Sequence, residues 1–446
     1  MKTMKKLLVL MLAAAMLLSI AACAATTNDP TPSTDPAPAA EEPTQTAEPS
    51  AEKESLEVWA ISSGTETDQY LRDFASAHPE VDYTITFYSD DDLKTQSKIA
   101  LDSGIVPDVF FGHAGADFSE YYASGVLKDI TQLIKDNGTY DRIESGYYGP
   151  YTVDDKIYGY PEAVLTPWQS LYVNRDIFDA CGITEDPTTV DELIATCNTI
   201  RENGYDPIAI GDKDGWPAVI LCGDYYAQQT ADYGELNKIL TGEDTFPGNE
   251  VFRNAFATVV ELGQNGAYMS GFSSTDHNTA IQAFAAGQTA MLYCGSWWSS
   301  IAGGTDNGFT LDVIQLPLME GLTDNVSVQL CADIALLPTK DANESALGKF
   351  FDYISDGGYW TVMGNEYNSF TMVSSVNENL NLDPVFLKEP IIRQFDKPVL
   401  SPFFDNMFPA AVLTEMETAF QQAIAGEITV DQALENIQAV MDQNLG

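Results

Sequence analysis

The chain has 446 residues, with 66 acidic against 21 basic side chains and a formal net charge of −45. So acidic a surface repels nucleic acid, anionic lipid headgroups and phosphorylated ligands at long range, which favours a neutral or cationic partner. The length exceeds what one small core fills and suits two lobes behind a short leader.

Residues 1–22 form a basic start and an uninterrupted apolar run ending in small residues, the pattern of a secretory signal peptide. The end of that run, "SIAAC", resembles a bacterial lipobox, which implies cleavage before Cys23 and a lipid thioether on Cys23 that holds the chain to a membrane. Residues 23–55 then read as the lipidated cysteine and a tether rich in Pro, Thr, Ala and acid. That composition buries too little apolar surface to offset ordering entropy, so the tether is expected to be disordered, with a reach of roughly 30 to 95 Å.

From Leu56 the elements alternate. "LEVWAI" reads as a strand, and Tyr70, Leu71, Phe74 and Ala77 recur at helical spacing until Pro79. "VDYTITFY" alternates as a strand. The next helix has Ser89 as its N-cap, three aspartates suited to the helix dipole, and Gly104 as terminator; capping explains Asp90, Asp91 and Asp92 better than a metal cluster. "VPDVFFGH" completes a βαβαβ pattern, the signature of a parallel sheet. Alternation returns in "DPIAIGD", "HNTAIQAFAAGQ", "TAMLYCG" and the helix "ESALGKFFDYISDG", and the chain closes on a helix with a capping box, Thr429 with Gln432.

Besides Cys23, five cysteines are widely spaced without a CxxC, which makes a poor disulfide framework and a poor metal site and leaves room for one disulfide on which the fold would not depend. Their apolar neighbours suit small buried hydrophobes. Ligands of open parallel sheets bind beyond the carboxyl ends of the strands. Trp297 follows the run "TAMLYC", Trp216 follows "DPIAIGD", Glu66 follows "LEVWAI", and His113 and Asp117 follow the third strand. Flat aromatics beside short polar groups suit a polyhydroxylated ligand, whose ring faces stack while its hydroxyls find acceptors. Adjacent residues point in different directions, so Trp297 is expected in the cleft and Trp298 in the core, as are Trp59 and Trp360.

Four segments carry a family resemblance: "SGIVPDVFFGHAGADFSEYYASGVLKDITQLI", "KIYGYPEAVLTPWQSLYVNRDIFDACGI", "FAAGQTAMLYCGSWW" and "GEITVDQALENI". Together they resemble the extracellular solute-binding proteins of family 1, the sugar-binding lipoproteins of ABC importers. The resemblance implies an α/β fold of the type II periplasmic-binding-protein kind, two hinged lobes around a ligand cleft with a helical C-terminal portion. It places the N-lobe at 56–165 and 314–356, and the C-lobe at 166–313 and 357–446. Carried over individually, it implies stacking by Trp297 and Trp216, hydrogen bonding by Asp117 and Glu66, and cleft positions for Trp168, in the crossover, and Phe404, in "SPFFDNMFP".

The function so implied is capture of a neutral carbohydrate, an oligosaccharide by expectation, and its delivery to a membrane permease by a lipid-anchored monomer on the outer face of the cytoplasmic membrane. No catalysis, cofactor, metal or nucleic acid is expected. The rival readings are a surface-anchored glycoside hydrolase, for which no acid and base pair stands in a recognisable motif, and a receptor for a cation such as a polyamine.

Overall fold

The computed structural model describes residues 54–445 apart from Ser63, Ala332, Asp396 and Lys397. The signal segment, Cys23 and the tether as far as Lys53 lie outside the described residues. Strand β1 (Glu54–Ile61) pairs in parallel with β2 (Val81–Tyr88) along its whole length, from Glu54 opposite Val81 to Ile61 opposite Tyr88. Glu54 and Ser55, assigned to the tether on composition, therefore belong to the sheet. Their backbone groups find partners in β2 whatever their side chains are.

Between these strands lie α1 (Thr65–Ala77), and after them α2 (Asp90–Ser103) and β3 (Val109–His113), which pairs parallel to β1. The Ser89 hydroxyl accepts the Asp92 backbone N–H at 3.3 Å, and Gly104 closes α2 at φ +71°, as the capping pattern predicts.

The remaining strands of the larger sheets are β4 (Tyr160–Pro161), β5 (Val164–Pro167), β6 (Ser170–Asn174), β7 (Asp206–Ala209), β8 (Thr289–Leu292), β9 (Leu311–Gln315), β10 (Val328–Cys331), β11 (Ile334–Pro338), β12 (Phe370–Thr371) and β13 (Pro398–Ser401). The first sheet runs β2-β1-β3-β11-β4, with β11 antiparallel to β3 and to β4. The second runs β9-β6-β8-β7, where β8 is parallel to β7 and antiparallel to β6. The third, β12-β5-β10-β13, gathers segments that leave one lobe for the other.

Two separate apolar cores correspond to the first two sheets. One holds Leu56, Val58, Leu71, Phe74, Phe351 and Trp360. The other holds Leu171, Val173, Val219, Phe252, Phe420 and Leu434 on one face of its sheet, and Tyr172, Phe284, Leu292, Trp298 and Phe386 on the opposite face. Trp298 and Trp360 are fully buried as expected, whereas Trp59 is only half-buried and its Nε1 donates to Glu57 Oε1 at 3.0 Å.

The chain crosses from the first core to the second over residues 164–170, returns between 316 and 334, and crosses once more between 376 and 385. The helix Gly357–Glu366 and residues up to Val376 thus pack in the first core, although the sequence reading gives 357 onward to the C-lobe. The physical reason is local: Tyr359, Trp360 and Met363 make an apolar stripe that suits either core, and pattern alone cannot say which one covers it.

The C-terminal helices Ala410–Ile424 and Val430–Leu445 close the second core. The capping box forms: Gln432 N–H donates to Thr429 Oγ1 at 3.2 Å, and Thr429 N–H to Gln432 Oε1 at 2.9 Å. Cys197, Cys222 and Cys294 are buried and unbridged, in keeping with a packing role, and Cys181 is unbridged and half-buried.

A candidate binding cleft between the lobes

A cavity of about 510 Å³ opens between the lobes at the third sheet, with walls from both. That volume lies in the range of small-molecule sites. One wall is aromatic. Trp168 follows β5, Trp216 is the first residue of the helix Trp216–Ala227, Trp297 precedes the short helix Trp298–Ala302, and Phe403 follows β13. The Trp168 and Trp297 ring centres are 4.5 Å apart with planes at 72°, and Trp168 meets Trp216 at 86° and Phe403 at 87°.

The sequence "CGSWW" explains how one ring reaches the cleft. A Cβ on Gly295 would lie 2.1 Å from Cζ3 of Trp297 and 2.5 Å from Cγ2 of Thr166, so only glycine leaves room for the indole to fold back over the strand end. Trp298, one residue on, turns inward against Tyr172 and Phe284.

The floor is polar and centred on Asp333, between β10 and β11. Its Oδ2 accepts Asn406 Nδ2 at 2.8 Å and the Phe403 N–H at 3.0 Å, and stands 3.3 Å from His113 Nδ1. The other ring nitrogen, Nε2, is 2.7 Å from Asp90 Oδ1. With an acceptor at each nitrogen, the ring suits the doubly protonated form. Burial opposes that charge, but Asp90 and then Asp333 outweigh it and lift the His113 pKa to about 10. Lys94 pairs with Asp90 at 3.2 Å and is held above its usual range against burial by that neighbour. Asp90 is thus more than a helix-dipole residue: with Asp91 it lines the cleft.

Burial shifts other groups on the wall, holding Glu162 and His277 neutral. Burial lifts Glu162 to about 8 despite the hydrogen bond donated by the Tyr359 hydroxyl, and burial lowers His277, whose ring lies tilted at 58° against Trp216 with centres 4.5 Å apart, to about 4. Asp405, 5% exposed, is raised to about 6, by burial first and by Asp333 among its neighbours. The lobes meet closely here: a Cβ on Gly115, at φ +80°, would lie 2.1 Å from the Asn406 carbonyl oxygen.

Of the residues singled out from sequence, Trp168, Trp216 and Trp297 share this cavity. Phe404 does not: it is fully buried against Tyr226, Phe252 and Phe408, while its neighbour Phe403 takes the cleft position. Adjacent residues entering a tight turn face opposite ways, so the pair "FF" identifies the place but not the register. Glu66 is exposed in the first turn of α1 and off the cavity wall; its N–H donates to Glu366 Oε1 at 3.1 Å, while Ser62 and Gly64 of the preceding loop line the cleft. Asp117 also stands off the wall, 3.8 Å from Lys98. Sequence reasoning missed Asp333, Asp405 and Asn406. Asp333 had a signal: an acid inside the apolar run "QLCADIALL" needs a buried partner.

Among the described residues no cluster of His, Cys, Asp or Glu is arranged to hold a metal ion, and no helix is long and apolar enough to cross a membrane. The bacterial extracellular solute-binding protein model matches residues 61–355, about two thirds of the chain. The chain belongs to that family. A solute-binding protein of this kind serves an ABC importer outside the cytoplasm. An uncharacterised ABC transporter extracellular-binding protein of Pyrococcus horikoshii is 26% identical over 371 residues, 78% of this chain and 76% of its own. Among solved structures, a chitin oligosaccharide binding protein superposes with a TM-score of 0.77 at 21% identity, over 88% of this chain and 99% of its own. A solute-binding protein of Thermotoga lettingae bound with α-D-tagatose gives 0.72 at 17% identity, over 88% and 100%. These likenesses establish the two-lobe fold.

Proposed function

We propose that this binding protein captures a carbohydrate in the interlobe cleft and presents it to its permease. The observation that carries the reading is the pair of nearly perpendicular indoles, Trp168 and Trp297, facing a floor of carboxylates and amides. Two indole planes at a steep angle can cover one ring face and one ring edge of a sugar, and Asp333, Asp405 and Asn406 supply acceptors and a donor for its hydroxyls. The solved relatives named for chitin oligosaccharide and tagatose support the same class of ligand.

Cleft walls come from both lobes, so a ligand gains contacts when the lobes close and favours the closed form by the difference. Affinity in the micromolar range corresponds to about −8 kcal/mol, within reach of two stacking surfaces and a few hydrogen bonds. Trp297, Trp216 and Trp168 are the stacking residues of this account. Asp117 and Glu66 line no part of the cavity and act, if at all, only on a ligand long enough to pass its rim. Lipidation at Cys23, anchoring to the outer face of the cytoplasmic membrane and a monomeric state complete the reading. Lobe boundaries follow the crossings at 164–170, 316–334 and 376–385.

Isothermal titration of the purified protein against mono- and oligosaccharides, with recovery of the sugar afterwards, tests the proposal. Saturable binding with the sugar returned intact supports it. Hydrolysis of the sugar would point to the glycosidase reading instead, and binding only of polyamines to the cation receptor.

A further inference from the structure

Charge in the cleft is unevenly matched. The two cations on its wall, Lys94 and His113, pair with Asp90 and Asp333 and lie within electrostatic reach of Asp405 without pairing with it, and the Asp276 carboxylate accepts the Thr279 N–H at 2.9 Å and the Thr279 hydroxyl at 2.7 Å. That leaves Asp405, Asp91 and Asp214, all on the cavity wall and none in an ion pair among the described residues. Asp91 comes from the first lobe, at the start of α2, and Asp214 from the second, in the turn before Trp216. With Asp90, Asp276 and Asp333, these carboxylates outnumber the two cations on the wall.

Asp405 is the decisive member. It is 95% buried by its 5% exposure, it faces the cavity, and its Oδ1 has no hydrogen-bond partner among the described residues. A buried carboxylate oxygen without a donor is costly, and a donor brought by the ligand removes that cost. On the same cavity wall the half-buried Trp216 and Trp297 indoles offer the π-faces that a cation prefers. A hydroxyl can donate to Asp405, but an ammonium donates and also offsets the excess negative charge of the wall, which Lys94 and His113 balance only in part.

The geometry points to a carbohydrate that carries a protonated primary or secondary amine, seated at Asp405, as the preferred ligand of this cleft. This inference rests on the carbohydrate reading above and narrows it from the neutral sugar expected from the sequence to one that carries a positive charge.

The test compares pairs that differ only at the amine: glucosamine with glucose, galactosamine with galactose, and deacetylated chitobiose with cellobiose and N-acetylated chitobiose, with spermidine as an amine that lacks a sugar. Affinities are measured by isothermal titration at neutral pH in low and high salt. The expected result is at least about tenfold tighter binding of an amino sugar than of its hydroxyl or acetamido partner, weakening with salt. Asp405→Asn, checked for folding by circular dichroism, is expected to remove most of that preference. Preference for the neutral or acetylated partner, or a preference for the amine that survives Asp405→Asn in a folded variant, overturns the inference and leaves the carbohydrate reading in place. Binding of spermidine alone, or of no sugar in the panel, overturns both.

Discussion

The indole of Trp297 lies 4.5 Å from that of Trp168, edge toward face, although the two residues stand 129 positions apart in the chain. Trp168 belongs to the first passage between lobes and Trp297 to the end of β8 in the second lobe. Their contact fixes the aromatic wall relative to the interlobe sheet, and it depends on Gly295, whose missing Cβ leaves the space the Trp297 ring occupies. Placement of the stacking surface is therefore a backbone property as much as a side-chain one.

Replacing Trp297 with alanine is expected to weaken sugar binding about ten- to a hundredfold, or about 1.4 to 2.8 kcal/mol, with little change in melting temperature because the ring is only half-buried. Gly295→Ala should reproduce much of that loss without touching an aromatic residue. Trp298→Ala, by contrast, should lower stability by about 3 to 5 kcal/mol, since that ring is fully buried. Titration calorimetry and chemical denaturation separate the three. Unimpaired binding by Gly295→Ala would contradict the packing argument.

Asp333 ties the floor of the cleft together through Asn406, the Phe403 backbone and His113. Asp333→Ala leaves buried donors and a buried imidazolium with one acceptor fewer, a defect on the order of 3 to 5 kcal/mol. A matching fall in unfolding free energy is expected in urea denaturation. A change below about 1 kcal/mol would show that the network is not formed as described.

Stability should fall as pH rises. Glu162 and Asp224 are each lifted to about 8 by burial from ordinary carboxylate values, and Asp224 receives the Tyr293 hydroxyl at 2.7 Å. A carboxyl with a raised folded pKa stabilises the fold fully below its unfolded value, near 4, and the contribution is lost as pH climbs through 8. His113, raised from 6.5 to about 10, contributes below pH 6.5 and loses that contribution as pH passes 10. The melting temperature should therefore decline from pH 5 to pH 9. Glu162→Gln should flatten the lower part of that decline and His113→Gln the upper part. A melting temperature that rises over this range would refute the assignment.

The proposed lipidation at Cys23 has its own test. Cys23→Ser is expected to release the protein from membranes of the producing cell into the soluble fraction, and metabolic labelling with a fatty acid should mark the parent but not the variant. Labelling of both would place the lipid elsewhere.

Much of the architecture was legible because periodicity and caps are local. β1, β2 and α2 follow from alternation, Ser89 and Gly104, and the last helix from Thr429 with Gln432. The aromatic wall was legible for a similar reason: Trp297 and Trp216 stand at strand ends, where open sheets place their ligands. The polar floor was not, since Asp90, His113, Asp333 and Asp405 meet only through the crossings of the chain, and no local pattern encodes which crossing lies beside which. Phe403 and Phe404 show the finest limit, a one-residue register in a turn that exchanges core for cleft. The two lobe assignments of residues 357–376 differ for the opposite reason: an apolar stripe says that a helix is covered, but not by what.

The most direct test of the central claim is isothermal titration of the full chain against the sugar panel, with tryptophan fluorescence followed in the same samples and repeated in Trp297→Ala. A saturating heat with one sugar class, accompanied by a fluorescence change that is lost in a folded Trp297→Ala variant together with most of the affinity, is the predicted result. Undiminished binding in that variant, or no binding of any sugar by the parent, would contradict the claim that this cleft is a carbohydrate site built on Trp297.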